Sequence, residues 1–286
     1  MTVRSHVSSL SMEAAGVTLS GRIAEPGNES RAVIVAFHGG TYDSGYYDIG
    51  NDSLLSLGAQ RGFTVVAPDR PGYGAAADTD PSHTSFAGQT EILAAAVDQI
   101  AGRFPGPLAI VGHSIGGMLA LRTAASTVTR PVAVEVSGLG ERWQPGPLEM
   151  WSSLIGDEPS VSLPPEGHAQ VMLGAEGSYE ASAAGLDADL LRPLPMPELI
   201  DVVTWSQQLP EVGPAVTAPV SLTLAENDNI WQSDDAARAA LASHFTGSPD
   251  VRVEFFAGAG HSIELHRRAR DYVLRQLAFI EECLPA

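Results

Sequence analysis

Apolar segments that recur along the chain constrain its fold more than any other feature. After Arg31 an apolar run continues to Phe37 and ends in His-Gly-Gly. A run without polar alternation is typical of a strand buried on both faces of a parallel sheet. Further strand-like segments follow at 63–67, 108–111, 131–136, 220–224 and 251–256.

Segments with helical spacing separate these strands. They cover residues 52–60, 85–104, 115–126, 234–243 and 265–281. A hairpin is expected before them, with strands at 7–12 and 17–23 around Ala15-Gly16. Strands that alternate with helices predict βαβ units, and therefore an α/β fold with a mostly parallel central sheet flanked by helices.

The alternation stops after Gly138. From there to residue 213 the chain is rich in Pro, Gly, Ser and acidic residues and has only helical fragments. The interruption is too long for an ordinary loop. It predicts a cap inserted over the C-terminal edge of the sheet, with a core at 1–138 and 217–286 and a cap at 139–216.

Composition narrows the partners. The 286 residues include 34 acidic and 16 basic side chains, a formal charge of −18. Because no basic cluster stands out, we expect neither nucleic acid nor a membrane as partner. The expected partner is a small-molecule substrate, and the oligomeric state is left open. The single cysteine, Cys283, excludes an internal disulfide and a cysteine-built zinc cluster, and we expect no metal or cofactor.

We expect neither a secretory signal nor a membrane-spanning segment in this sequence. Residues 1–21 lack the apolar core of a secretory signal. No stretch approaches the roughly 18 apolar residues of a spanning helix. These observations favour a cytoplasmic protein.

The main chemical signal is Gly112-His113-Ser114-Ile115-Gly116-Gly117. It matches G-x-S-x-G, follows an apolar strand and opens a helix, which is the context that this motif requires. The glycines permit a strained turn that lifts the serine hydroxyl above the sheet, at the positive end of the helix. Ser114 is therefore the candidate nucleophile.

A serine hydroxyl needs a base. His261 is the best candidate, because it follows the last predicted strand in a Gly-rich loop, whereas the runner-up, His266, falls inside the predicted final helix. His6, His83 and His244 are expected at the surface.

The group that orients the base should follow a strand between the serine and the histidine. Asp228 fits, and its carboxylate would hold the imidazole tautomer and stabilise the imidazolium. Glu226 is a nearby competitor, and Glu135 and Glu141 are weaker alternatives. The chain order is serine, acid, histidine.

An oxyanion needs preorganised N–H donors. The amide of Ile115, next to the nucleophile, is one expected donor. Gly40, in the loop after the 31–37 strand, is the other, because glycine lets the backbone approach a substrate. We expect a structural role for His38.

The chain resembles the lidded α/β-hydrolases over about residues 17–138 and 217–284. The resemblance rests on His38-Gly39-Gly40, the Asp69–Gly74 stretch, the Ser114 motif, the Asp228 loop and Gly260-His261. It implies an α/β-hydrolase fold and a catalytic triad. It does not identify a substrate, because that family includes esterases, lipases, thioesterases and C–C hydrolases. Serine in place of aspartate argues against haloalkane dehalogenase or soluble epoxide hydrolase chemistry.

The expected activity is hydrolysis of a carboxylic ester through an acyl-enzyme. A thioesterase acting on a carrier-bound acyl group and a non-catalytic binding protein on the same scaffold are the alternatives. Large apolar residues of the predicted cap and of the loops near the site favour a bulky apolar substrate. The candidate substrate-binding residues are Tyr42, His113, Trp151, Met172 and Trp231, although His113 equally suits packing within its turn.

Overall fold

The computed structural model describes residues 6–285. Residues 1–5 and 286, the two ends of the expected core, lie outside the described part. The strands of this part are β1 Val7–Ala14, β2 Val17–Ala24, β3 Ala32–Phe37, β4 Phe63–Pro68, β5 Leu108–His113, β6 Ala133–Ser137, β7 Ser160–Val161, β8 Leu194–Pro195, β9 Val220–Ala225 and β10 Val251–Phe256.

Eight of these strands form one sheet, in the order β1-β2-β4-β3-β5-β6-β9-β10. β1 and β2 form the expected antiparallel hairpin, and β2 also runs antiparallel to β4. From β4 to β10 every neighbouring pair is parallel. The predicted α/β fold with a mostly parallel sheet is confirmed.

The α-helices of the described part are α1 Leu54–Gln60, α2 Phe86–Arg103, α3 Ile115–Ser126, α4 Pro147–Ser153, α5 Pro165–Leu173, α6 Ala183–Leu190, α7 Met196–Val203, α8 Trp205–Ala215, α9 Asp235–Ser243 and α10 Ala269–Cys283. None of these helices combines the length and the apolar character needed to cross a membrane.

Helices cover both faces of the sheet. Along β3, Val33, Val35 and Phe37 pack in one apolar cluster with α2 and α3. The alternate residues, such as Ile34, pack in a second cluster with α1 and α10. Successive side chains of a strand point to opposite faces. Both faces of the sheet are therefore buried at β3, which explains the continuous apolar run at 32–37 in the sequence.

The final helix differs from its prediction. α10 begins at Ala269 rather than at 265, because Ile263–Leu265 forms a separate 3-10 turn. His266 therefore lies before the helix and not inside it. Its ring is buried, accepts a hydrogen bond from the Gly260 amide at 2.8 Å and lies 2.8 Å from the Leu173 carbonyl oxygen.

The segment between β6 and β9 contains α4 to α8 and the two-stranded β7–β8 pair. Trp205 and Leu209 of α8 and Leu199 of α7 are buried in the same apolar cluster as α2 and α3. The segment 139–216, which we call the insertion, therefore shares a core with one face of the sheet. Its function as a cap, and its separation as a domain, stay predictions.

A buried ion pair also joins the insertion to the sheet. Arg70, after β4, donates from its guanidinium to both carboxylate oxygens of Glu198 on α7, at 2.6 and 3.1 Å. Both side chains are fully buried. Gln89 and Tyr73 also donate to this carboxylate. Its negative charge is therefore fully hydrogen-bonded, as a buried charge must be.

Loss of the buried carboxylate should destabilise the protein more than loss of a surface one. Glu198→Ala leaves the Arg70 charge buried without its partner, so we expect a loss of about 3–5 kcal/mol in the free energy of unfolding. Glu254→Ala removes the partner of Arg275 from a partly exposed pair and should cost no more than about 1 kcal/mol. Urea denaturation measures both, and equal losses would contradict this account of the Arg70–Glu198 pair.

Candidate active site

Ser114 lies in a strained turn between β5 and α3. Its backbone has φ 53° and ψ −123°, which is unusual for a residue with a side chain. Its amide donates to the Ser137 carbonyl oxygen of β6 at 2.7 Å. A Cβ on Gly112 would lie 2.4 Å from the Gly116 carbonyl oxygen, and one on Gly116 would lie 2.0 Å from that of Phe37. The turn therefore requires both glycines.

Ser114, His261 and Asp228 form one chain of hydrogen bonds. Nε2 of His261 lies 2.9 Å from Oγ of Ser114, and its Nδ1 lies 2.9 Å from Oδ2 of Asp228. The other carboxylate oxygen accepts from the amides of Ile230 and Trp231 at 2.8 and 3.1 Å. His261 and Asp228 are buried, whereas Ser114 is partly exposed. The arrangement has the geometry of a nucleophile, a base and an orienting acid.

The other carboxylates considered as partners of His261 do not contact it. Glu226 is exposed and accepts from the Gly258 amide at 2.8 Å. Glu135 accepts hydrogen bonds from Gln276 and Tyr272 of α10, and burial raises its pKa to about 8. Glu141 faces His244, with 3.4 Å between Nε2 and Oε1. Among these carboxylates, only Asp228 contacts His261.

Gly40 lies close to the side chain of Ile115. A Cβ on Gly40 would lie 2.5 Å from Cδ1 of Ile115, so a larger residue here would require the Ile115 side chain to move. Both residues line one cavity together with Ser114. The arrangement brings both expected oxyanion donors to the wall of the cavity that holds the serine.

Arg70 and His38 hold the loop that leads to Gly40. The Arg70 side chain donates to the carbonyl oxygens of His38 at 2.8 Å and Gly39 at 3.1 Å. Burial, followed by the Arg70 charge, lowers the pKa of His38 to about 3. The ring is therefore neutral, and it accepts from the Arg70 amide through Nε2 and donates to the Gly39 oxygen through Nδ1.

Trp151, Met172 and Trp231 line the cavity. The empty space amounts to about 430 Å³, open solvent included. Apart from Ser114 and Thr41, its lining side chains are apolar or tryptophan. Three tryptophans contribute, since Trp143 also lines the cavity and its ring centroid lies 4.1 Å from that of Trp231.

Tyr42 and His113 are placed differently from the prediction, since neither lines this cavity. The Tyr42 hydroxyl donates to Asp187 at 2.6 Å, so its polar end is directed into the protein. His113 stacks on Tyr46, with 4.7 Å between ring centroids, and its Nδ1 lies 3.1 Å from the Ser137 hydroxyl. Burial, followed by His261 and His38, holds its pKa well below the usual value. A neutral packing role fits His113.

Sequence reasoning missed several cavity residues. Met118 lies one helical turn after Ser114, so the helical period could have identified it. Leu194 and Val202 come from the insertion, and no local pattern indicated which of its apolar side chains face the serine. Thr41 adjoins Gly40 and was open to prediction as a neighbour of an expected oxyanion donor.

The sequence profile of the alpha/beta hydrolase family matches residues 33–273. The chain belongs to this family. No curated protein matches it in sequence. Within residues 6–285, no cluster of three or more His, Cys, Asp or Glu side chains could hold a metal ion.

Solved structures of lipases and esterases are similar in fold. A soluble variant of monoglyceride lipase from Saccharomyces cerevisiae, in complex with a substrate analog, has a TM-score of 0.76 at 16% identity and covers 100% of this chain and 97% of its own. A highly thermostable carboxyl esterase from Bacillus coagulans has a TM-score of 0.72 at 18% sequence identity, and the match covers 97% of this chain and 98% of the esterase. The Paleococcus ferrophilus monoacylglycerol lipase has a TM-score of 0.67 at 22% sequence identity, and the match covers 91% of this chain and 97% of the lipase.

Gly116, in the turn around Ser114, should tolerate no side chain. Gly116→Ala places a Cβ against the backbone of β3, so we expect a loss of several kcal/mol in the free energy of unfolding or no folded protein. Gly102→Ala, on the exposed surface of α2 with open space around it, should stabilise the protein by up to ~1 kcal/mol. Thermal unfolding of both variants tests this, and a Gly116→Ala protein as stable as wild type would contradict the described turn.

Proposed function

We propose that this protein is a serine hydrolase that cleaves carboxylic esters through an acyl-enzyme. The observation that carries the proposal is the unbroken chain of hydrogen bonds from Ser114 through His261 to Asp228, with the serine at the wall of an apolar cavity. The similar folds of lipases and esterases support ester cleavage as the reaction. The small-molecule substrate and the cytoplasmic location stay predictions.

In the first half of the reaction, Oγ of Ser114 attacks the ester carbonyl carbon while Nε2 of His261 takes the hydroxyl proton. The carbonyl oxygen becomes an oxyanion, which the amides of Gly40 and Ile115 stabilise. Asp228 accepts from the His261 Nδ1–H and stabilises the imidazolium. The C–O bond to the alcohol then breaks, and His261 returns the proton to the leaving oxygen.

In the second half of the reaction, water hydrolyses the acyl-enzyme. His261 takes a proton from water, whose oxygen attacks the acyl carbon. The bond to Ser114 breaks and the serine oxygen regains its proton from His261. The carboxylic acid product leaves and the enzyme is restored, with no net change in any side chain.

Removal of the nucleophile should abolish turnover. Ser114→Ala should lower kcat on p-nitrophenyl acetate by a factor on the order of 10⁶ with the fold unchanged, because the attacking oxygen is lost. Spectrophotometric turnover and circular dichroism measure the two properties. A folded Ser114→Ala protein with wild-type activity would overturn the proposal, and an inactive wild type tested on an ester panel would favour a binding protein.

Substitutions of the two carboxylates in the 226–228 loop should have very different effects on kcat. Asp228→Asn should lower kcat by about 10⁴, because the amide disfavours the productive His261 tautomer. Glu226→Gln is the matched control, since this exposed side chain accepts from the Gly258 amide and should change kcat little. If Glu226→Gln had the larger effect, the acid would be reassigned.

The apolar lining of the cavity supports an apolar substrate, and the bulk of that substrate stays a prediction. We expect kcat/KM to rise with acyl length by at most about fourfold per methylene until the cavity is full. Trp151→Phe should change this preference because Trp151 lines the cavity. Trp205→Phe, a buried tryptophan of the insertion outside the cavity, should change melting temperature alone. Acetate as the best substrate, or equal preference in both variants, would contradict this specificity.

A further inference from the structure

Thr41 has a backbone conformation that its side chain disfavours. In residues 6–285 the non-glycine residues with positive φ are Ala15, Thr41 and Ser114, and Thr41 has φ 64°. For a β-branched residue this conformation is a strained outlier. It persists only where the surroundings impose it. Thr41 directly follows Gly40, the expected oxyanion donor.

Contacts on every polar atom hold Thr41 in place. Its amide donates to the Tyr73 hydroxyl at 3.2 Å, and its carbonyl oxygen accepts from the Arg192 amide at 2.7 Å. Its hydroxyl donates to the Gly40 carbonyl oxygen and lies 2.8 Å from Nε2 of His168. His168 and Arg192 belong to the insertion, so the insertion contributes directly to the strained conformation.

The contact to His168 continues into a buried carboxylate. Nδ1 of His168, on α5, lies 2.7 Å from Oδ2 of Asp187, on α6. The other oxygen of Asp187 accepts from the Tyr42 hydroxyl at 2.6 Å. His168 and Asp187 are buried. We call Thr41, His168 and Asp187 the relay.

The relay resembles the Ser114 chain in having a hydroxyl at Nε2 and a carboxylate at Nδ1 of a histidine, but the Thr41 hydroxyl donates to the Gly40 oxygen and can therefore only accept from His168. Its exposure also differs from that of the Ser114 chain. Thr41 is 2% exposed and its hydroxyl already contacts Gly40 and His168, whereas Ser114 is partly exposed. A hydroxyl so enclosed is suited to holding its neighbours and not to attack on a substrate.

The geometry points to a positioning role. Arg70 fixes the peptide before Gly40 through the Gly39 oxygen, and the relay fixes the peptide after it through the Gly40 oxygen. We propose that the Asp187–His168–Thr41 relay aims the Gly40 amide at the oxyanion, so that the insertion helps to bind the transition state. This inference rests on the proposed ester hydrolysis.

Paired substitutions at Thr41 test the hydroxyl separately from the shape. Thr41→Val keeps the branched shape and loses the hydroxyl, so we expect kcat to fall about 10- to 100-fold with KM within about threefold of wild type. Thr41→Ser keeps the hydroxyl and should stay within about threefold of the wild-type kcat. A merely structural role predicts no such split between kcat and KM.

A second threonine supplies the matched control. Thr79 also contacts a histidine, with 2.9 Å between its hydroxyl and Nδ1 of His83, and lies outside the cavity. Thr79→Val should therefore leave kcat unchanged. Equal kcat in Thr41→Val and wild type would overturn the proposal. So would equal losses in Thr41→Val and Thr41→Ser, or in Thr41→Val and Thr79→Val.

Asp187→Asn tests the far end of the relay and serves if Thr41→Val fails to fold. We expect it to lower kcat with little change in KM, and an unchanged kcat would overturn the relay. Where both variants fold, the double variant should be no slower than Thr41→Val, because the two residues act through one path. If the double variant instead lost kcat by the product of the two single losses, the relay proposal would be overturned.

Failure of the proposed function is recognised separately. If the wild type cleaves no ester, or if Ser114→Ala remains active, the proposed function fails and the relay proposal fails with it. If the wild type is active, Ser114→Ala is inactive and Thr41→Val equals the wild type, only the relay proposal fails.

Discussion

The backbone at Ser114 leaves β5 and enters α3 through a turn in which the serine takes a strained conformation with positive φ. The turn closes because Gly112 and Gly116 let the end of β5, the start of α3 and the end of β3 approach more closely than any Cβ would allow. The amide of Ser114 is tied to β6 as well. Three neighbouring strands therefore fix one hydroxyl above the sheet edge, where the loops after β9 and β10 bring Asp228 and His261.

Opposite the serine, the loop after β3 depends on buried polar contacts. Arg70 holds this loop from the sheet side and is itself held by Glu198 of the insertion. Thr41 is held from the insertion through His168. The insertion is therefore joined to the loop beside Ser114 by charge and hydrogen bonds as well as by the apolar core. A shift of α5 or α7 relative to the sheet would disturb the Gly40 backbone.

The sequence allowed prediction of those features that are set by nearby residues. The apolar run before His38, the hairpin around Ala15 and the glycines around Ser114 each carry a local signal, and their elements lie where they were predicted. Partner choice between distant segments carries no such signal. Nothing near Glu198 indicates that it meets Arg70, and the inward hydrogen bond of Tyr42 depends on Asp187, 145 residues away.

We propose above all that Ser114 is activated as the nucleophile. The most direct test is reaction of the folded wild type with a fluorophosphonate, followed by mass spectrometry of the peptides. The account predicts one adduct per chain, on Ser114, and none after heat denaturation, because activation needs the assembled His261 and Asp228. Labelling at another residue, or labelling of Ser114 in the denatured chain at the same rate, would contradict it.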